Sequence, residues 1–113
     1  MSQAKTDLFD SDLQELAQLF KALGHPARLQ ILTFLGSRDT CFSGDITEIV
    51  PLGRTTVNQH IAELKKAGLI KGTIHGTKTN YCLNPCVIEK LNKIGIDFCA
   101  KLQHANSCET KEC

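Results

Sequence analysis

A chain of 113 residues is expected to fold as one domain around a modest core, and its 42% hydrophobic and 22% charged content is that of an ordinary globular protein. No stretch has the apolar length of a membrane span, and the start MSQAKTDLFDSDLQ lacks an apolar run behind basic residues. Neither a membrane partner nor a secretory signal is therefore expected, and the cytoplasm is the expected compartment. The formal net charge of +1 argues little, but its distribution argues more. Met1 to Gly53 carries −3, Arg54 to Lys78 carries +4, and Thr79 to Cys113 is neutral. A basic band confined to one segment is a footprint for a polyanion, where a solvated face is the plain alternative.

In chain order, Ser11-Asp12-Leu13-Gln14 reads as a capping box, and Leu13, Leu16, Ala17, Phe20 and Leu23 follow at helical spacing until Gly24. Pro26 opens a second helix whose Leu29, Ile31, Leu32, Phe34 and Leu35 are almost all apolar, so it is expected at the centre of the core. A short third helix is predicted from about Ser43, with Ile46, Ile49 and Val50 buried and Pro51 ending it. A fourth runs from about Arg54 to Ala67, with Val57, Ile61 and Leu64 inward and Gly68 closing it. Leu69 to Ile74 and Thr79 to Leu83 alternate as strands around the turn His75-Gly76-Thr77-Lys78. A fifth helix is predicted from about Pro85 to His104. The expected fold is mainly α with a small β-hairpin, five helices and a two-stranded wing. Residues 11–104 would form the domain and 105–113 a flexible, cysteine-containing tail.

Helix, turn, helix and hairpin in this order predict a winged helix-turn-helix, whose recognition helix enters the major groove of DNA while the hairpin approaches the flanking backbone. With Val57, Ile61 and Leu64 inward, Arg54, Thr55, Thr56, Asn58, Gln59 and His60 are left as outward candidates for bases and phosphates. Lys65, Lys71, His75 and Lys78 extend the basic band into the wing.

Three motifs carry a resemblance. Phe20-Lys21-Ala22-Leu23-Gly24-His25-Pro26-Ala27-Arg28-Leu29 looks like the LADPTRLxIL stretch of the ArsR/SmtB repressors. Gly53-Arg54-Thr55-Thr56-Val57-Asn58-Gln59-His60-Ile61 with Lys66-Ala67-Gly68-Leu69-Ile70 resembles that family's recognition helix, and His75-Gly76-Thr77-Lys78 with Tyr81 and Leu83 its wing. Gly53 departs from the pattern by replacing the usual serine cap. The resemblance, which covers roughly Leu13 to Phe98, implies a homodimer built on the first and last helices, bound to double-stranded operator DNA and released by an effector. The apolar surface of the last helix, more than one small domain can hide, agrees with a dimer.

Arsenite sensors of this family often carry Cys-x-Cys-Asp-Leu at the third helix, where this chain has Cys41-Phe42-Ser43-Gly44-Asp45-Ile46, and the family's zinc ligands in the last helix are also out of register. Six cysteines without a secretory signal nevertheless point to soft-metal binding or redox chemistry. Three thiolates suit As(III) or Sb(III), and Cys99, Cys108 and Cys113 are the candidate ligands, because the two tail cysteines have no core to fill. Cys41, Cys82 and Cys86 are the alternates, with Cys82 and Cys86 flanking Asn84-Pro85 as a pair and His104 available to a soft divalent ion. No permanent cofactor is expected. Redox or persulfide sensing by reversible cysteine oxidation is the second effector reading. No nucleophile elbow and no glycine-rich phosphate loop is present, which argues against an enzyme. A winged helix used only to bind a protein partner is the remaining alternative.

Overall fold

The computed structural model describes residues 8–75 and 78–103. Helix α1 (Ser11–Ala22) and helix α2 (Pro26–Gly36) are followed by a two-residue strand β1 (Phe42–Ser43), a single 3-10 turn (Ile46–Glu48) and helix α3 (Arg54–Lys66). Strands β2 (Ile70–His75) and β3 (Lys78–Leu83) form the hairpin, and helix α4 (Pro85–Gln103) completes the chain. The sheet order is β1-β3-β2, all antiparallel, so the wing has three strands where two were expected.

The start of α1 lies one residue earlier than the capping box placed it. Asp10 is the N-cap and makes no side-chain cap, while Gln14 Nε2 donates to the Phe9 carbonyl at 2.6 Å. Helix α2 starts as expected, with Pro26 in its first turn, and the N-cap His25 accepts from the Ala27 N–H through Nδ1 at 3.0 Å. It is less central than its composition suggests. Ala27, Ile31 and Leu35 are buried, but Leu29 is exposed.

The expected third helix from Ser43 is replaced by β1 and the 3-10 turn, leaving four α-helices among the described residues. Ser43 pairs with Asn80 and Phe42 with Tyr81, and the Phe42 ring packs edge-to-face on Phe34 at 4.9 Å. Gly44 then turns the chain at a φ of 152°, where a Cβ would come within 3.0 Å of the Phe42 ring. Asp45 caps the short turn by accepting from the Thr47 N–H at 3.0 Å. With a strand before it and Pro51 soon after, that segment has room for one turn of helix and no more.

Helix α3 ends as the sequence predicts. Gly68, at a φ of 79°, lets Gly68 N–H reach the Lys65 carbonyl at 2.9 Å and Leu69 N–H reach the Leu64 carbonyl at 3.0 Å. The core joins Leu19 and Ala22 of α1, Ile31 and Leu35 of α2, and Ile46 and Val50. Val57, Ile61 and Leu64 of α3 complete it, with Leu69 and Ile70 at the root of the wing. Burial of this kind holds α3 on the body by its apolar stripe and leaves the opposite face to solvent.

Helix α4 is different, because none of its residues is fully buried. It lies along α1, tied by Lys90 to Glu15 at 2.6 Å and by an edge-to-face contact of Phe98 with Phe20 at 6.3 Å. Ile96 and Leu102 stay exposed on it, as do Leu13 and Phe20 on α1. No helix among the described residues is long and apolar enough to cross a membrane.

Candidate nucleic-acid interface

Gly53 leaves α3 without a side-chain cap, and the helix begins directly with a run of exposed polar residues. Arg54, Thr55, Thr56, Asn58 and Gln59 are all exposed, on the side opposite Val57, Ile61 and Leu64. Side chains of these types can pair with base edges or phosphate oxygens. A cleft of about 390 Å³ separates the start of α3 from the wing, lined by Asp45, Arg54, Asn58, Thr79 and Tyr81 among others.

His60 departs from the outward set. It is buried, at 8% exposure, because it lies three residues after Val57 and four before Leu64 and so shares their arc. Arg28 Nε donates to its Nδ1 at 3.0 Å, the His25 ring lies 4.2 Å away, and Nε2 is buried without a hydrogen-bond partner among the described residues. Burial first, then the neighbouring His25 and Arg28, hold its pKa below the usual 6.5, so it is neutral at pH 7. Arg28 also donates through Nη1 to the carbonyls of Lys21 and Ala22 at 3.3 and 3.1 Å. The Arg28–His60 contact thus ties the end of α1 and the start of α2 to α3, and His60 serves to position that helix.

Asp45 is a site residue that sequence reasoning missed. Its carboxylate accepts from Arg54 Nη2 at 2.8 Å, and hydrogen bonds from the Thr47 hydroxyl and from Arg54 lower its pKa to about 2. It is therefore ionised throughout the physiological range, holding the Arg54 guanidinium at the mouth of the cleft. Its cap position before Ile46-Thr47-Glu48 was the available signal.

Lys65 is exposed, yet its ammonium lies over the Tyr81 ring at 5.6 Å, and a Cβ on Gly72 would come within 2.6 Å of that ammonium. The missing side chain at Gly72 gives Lys65 its path across the sheet. Lys71 is exposed on β2. His75 and Lys78 face each other as the last strand pair before the turn, and their side chains lie outside the described ones.

The cysteines divide into three sets. Cys99 is exposed on α4, while its expected co-ligands Cys108 and Cys113, like His104 and the tail 105–113, lie outside the described residues. No group of three or more metal-ligating side chains is assembled among the described residues. The anticipated Cys82–Cys86 pair is not formed. Cys82 is bonded to Cys41 in a disulfide and Cys86 is a free, exposed thiol. The fold brings Cys41 a partner from 41 residues away.

Comparison with known proteins supports the same arrangement. A helix-turn-helix domain family matches residues 23–73. The chain is 30% identical over 81 residues to an uncharacterized HTH-type transcriptional regulator of Methanocaldococcus jannaschii, covering 72% of this chain and 91% of that protein. It is 28% identical over 98 residues to the cadmium resistance transcriptional regulatory protein CadC of Listeria innocua, covering 87% and 82%. An ArsR-like transcriptional regulator from Rhodococcus sp. RHA1 superposes with a TM-score of 0.63 at 27% identity, covering 88% of this chain and all of that one. A homodimeric winged helix-turn-helix DNA-binding domain from Mycobacterium bovis shares the fold at a TM-score of 0.58 and 22% identity, covering 96% and 98%. These relatives and neighbours are transcriptional regulators, not enzymes.

Proposed function

Because this chain belongs to the ArsR family of winged helix-turn-helix transcriptional regulators, we propose that it is a cytoplasmic homodimeric repressor that leaves its operator when a thiol-reactive effector engages its cysteines. The observation that carries the DNA-binding part is the exposed run Arg54, Thr55, Thr56, Asn58 and Gln59 beside the wing. In this reading α3 enters the major groove, while Lys71, His75 and Lys78 approach the phosphates beside it. Lys65 contributes charge at the junction of helix and wing. A gel shift with a candidate promoter and excess competitor duplex tests it. Specific retention supports the repressor, whereas loss of all binding to competitor points to a non-specific or protein-directed surface.

The dimer reading is supported by α4, which buries nothing fully, and by the exposed Leu13, Phe20, Ile96 and Leu102 on the α1–α4 side. A groove of about 290 Å³ between these helices, floored by Leu16, Ile94 and Phe98, would receive the partner's side chains. The homodimeric relative of like fold favours it too.

For the effector, As(III) or Sb(III) held by Cys99, Cys108 and Cys113 is the first reading, with a soft divalent ion next. A relative named for cadmium resistance supports soft-ion sensing in general. Reversible oxidation is the second reading, and the Cys41–Cys82 bond is the specific observation in its favour.

A further inference from the structure

We propose that Cys41 and Cys82 form a redox modification site at the root of the wing, whose closure by a peroxide weakens the hold on DNA. The proposal rests on the repressor reading above and names the residues through which its oxidative form acts.

The pairings Phe42–Tyr81 and Ser43–Asn80 make Cys41 and Cys82 the next opposed positions of the same antiparallel ladder. Their Cα atoms are 4.6 Å apart, close to the ~4.5 Å of the narrow pairs in such a ladder and within the reach of a disulfide. Backbone pairing, anchored by Phe42 on Phe34, therefore brings the two sulfurs side by side, so the bond forms without a change of fold. Both are reachable: Cys41 is exposed, Cys82 is half-buried, and an open cleft of about 260 Å³ is lined by the two of them. Among the described residues, the free thiols Cys86 and Cys99 have no such arrangement.

The bond also spans the right stretch of chain. Between Cys41 and Cys82 lie the 3-10 turn, α3, the wing and every candidate DNA contact. With the thiols free, β1 is held to the wing by two residue pairs alone, and it can part from β3 and carry Asp45 with it. With the bond closed, β1 is fixed and Asp45 stays on Arg54 at 2.8 Å, occupying the guanidinium that should reach a base.

In the oxidation, the Cys41 thiolate attacks one peroxide oxygen, the O–O bond breaks, and hydroxide leaves to be protonated to water. The Cys82 thiolate then attacks the sulfenic sulfur, the S–S bond forms, and the second oxygen leaves as water. Two thiols have lost two electrons and two protons, and one hydrogen peroxide has become two waters. Two equivalents of a small thiol reopen the bond by exchange and leave as their own disulfide.

The test uses the full chain and a duplex selected from a random-sequence library by the reduced protein, with affinity read by fluorescence anisotropy. Peroxide treatment is expected to weaken binding about tenfold, and peptide mapping to find the Cys41–Cys82 link. C41S and C82S should bind like the reduced chain and ignore peroxide, while C86S and C99S should respond normally. Alanine at 41 and 82 gives the same readout if serine disturbs β3. Equal affinity of the reduced and linked forms, or a peroxide response that survives in C41S, overturns the switch alone. Failure of the reduced chain to select any duplex overturns the repressor reading and the switch with it.

Discussion

Breaking the Cys41–Cys82 link should cost the fold a large part of its stability. Cross-linking two positions 41 residues apart removes from the unfolded chain the freedom to separate them, and for a loop of that length the chain-entropy relation gives about 4 kcal/mol. The native side contributes less to the difference, since only the two residue pairs of β1 with β3 are free to loosen when the link is broken. A small domain loses roughly 1–3 kcal/mol of stability per molar urea, so the unfolding midpoint of the reduced chain or of C82S should lie about 2 M below that of the linked chain. The slope should also steepen on reduction, because an unlinked unfolded chain exposes more surface. The assay is urea denaturation followed by circular dichroism with and without reductant, at one protein concentration, since dimerisation would shift the midpoint with concentration. Coincident midpoints would refute the reasoning by showing that the link is absent or that the reduced unfolded chain already keeps these segments together.

At the interface, Gln59→Ala should weaken binding to a selected duplex by about 1–3 kcal/mol and relax its sequence preference, as measured against random duplex. Equal losses on both would make Gln59 a backbone contact. Lys71→Ala should weaken all sequences alike and lower the slope of log K against log salt by roughly one unit in an anisotropy salt series. Acid should destabilise the fold through His60: the unfolded chain takes up that proton near pH 6.5 and the folded chain resists it. Its contribution is thus intact above pH 6.5 and is lost as pH falls below that value towards the lower folded pKa. His60→Gln should flatten this part of a stability–pH curve, and an unchanged curve would remove His60 as its cause. Truncation after Gln103 should preserve DNA binding but abolish release by arsenite, if Cys108 and Cys113 are inducer ligands. Release as ready as in the full chain would move the inducer site to other cysteines.

The features legible in the sequence are those with a local signal. The apolar spacing in α1 and α3, Pro26, Gly68 and the alternation around the wing turn each announced an element that the structure contains. The 3-10 turn reads as a helix in the sequence because Ile46, Ile49 and Val50 suit the buried side of either, and a two-residue strand such as β1 has no period to detect. His60 reads as outward beside Asn58 and Gln59, although its spacing from Val57 and Leu64 places it on the buried arc. Its hydrogen bond to Arg28, 32 residues away, is a product of tertiary packing. The partner of Cys41 was equally hidden, since it depends on β1 pairing with a strand beyond α3.

The position of β1 has a consequence for solubility. A hairpin wing offers two rows of unpaired backbone groups, and each is a template on which another chain can add a strand. Here β1 covers one of them at Asn80 and Tyr81, so β3 lies inside the sheet there, β1 is itself a border of only two residues, and β2 is left as the long border. That border carries the charge of Lys71 and the side-chain-free Gly72, neither of which favours a well-packed added strand. Two residues of strand thus shield the wing from edge-to-edge self-association, and a variant that lost β1 would be expected to aggregate through β3 before it lost its helices.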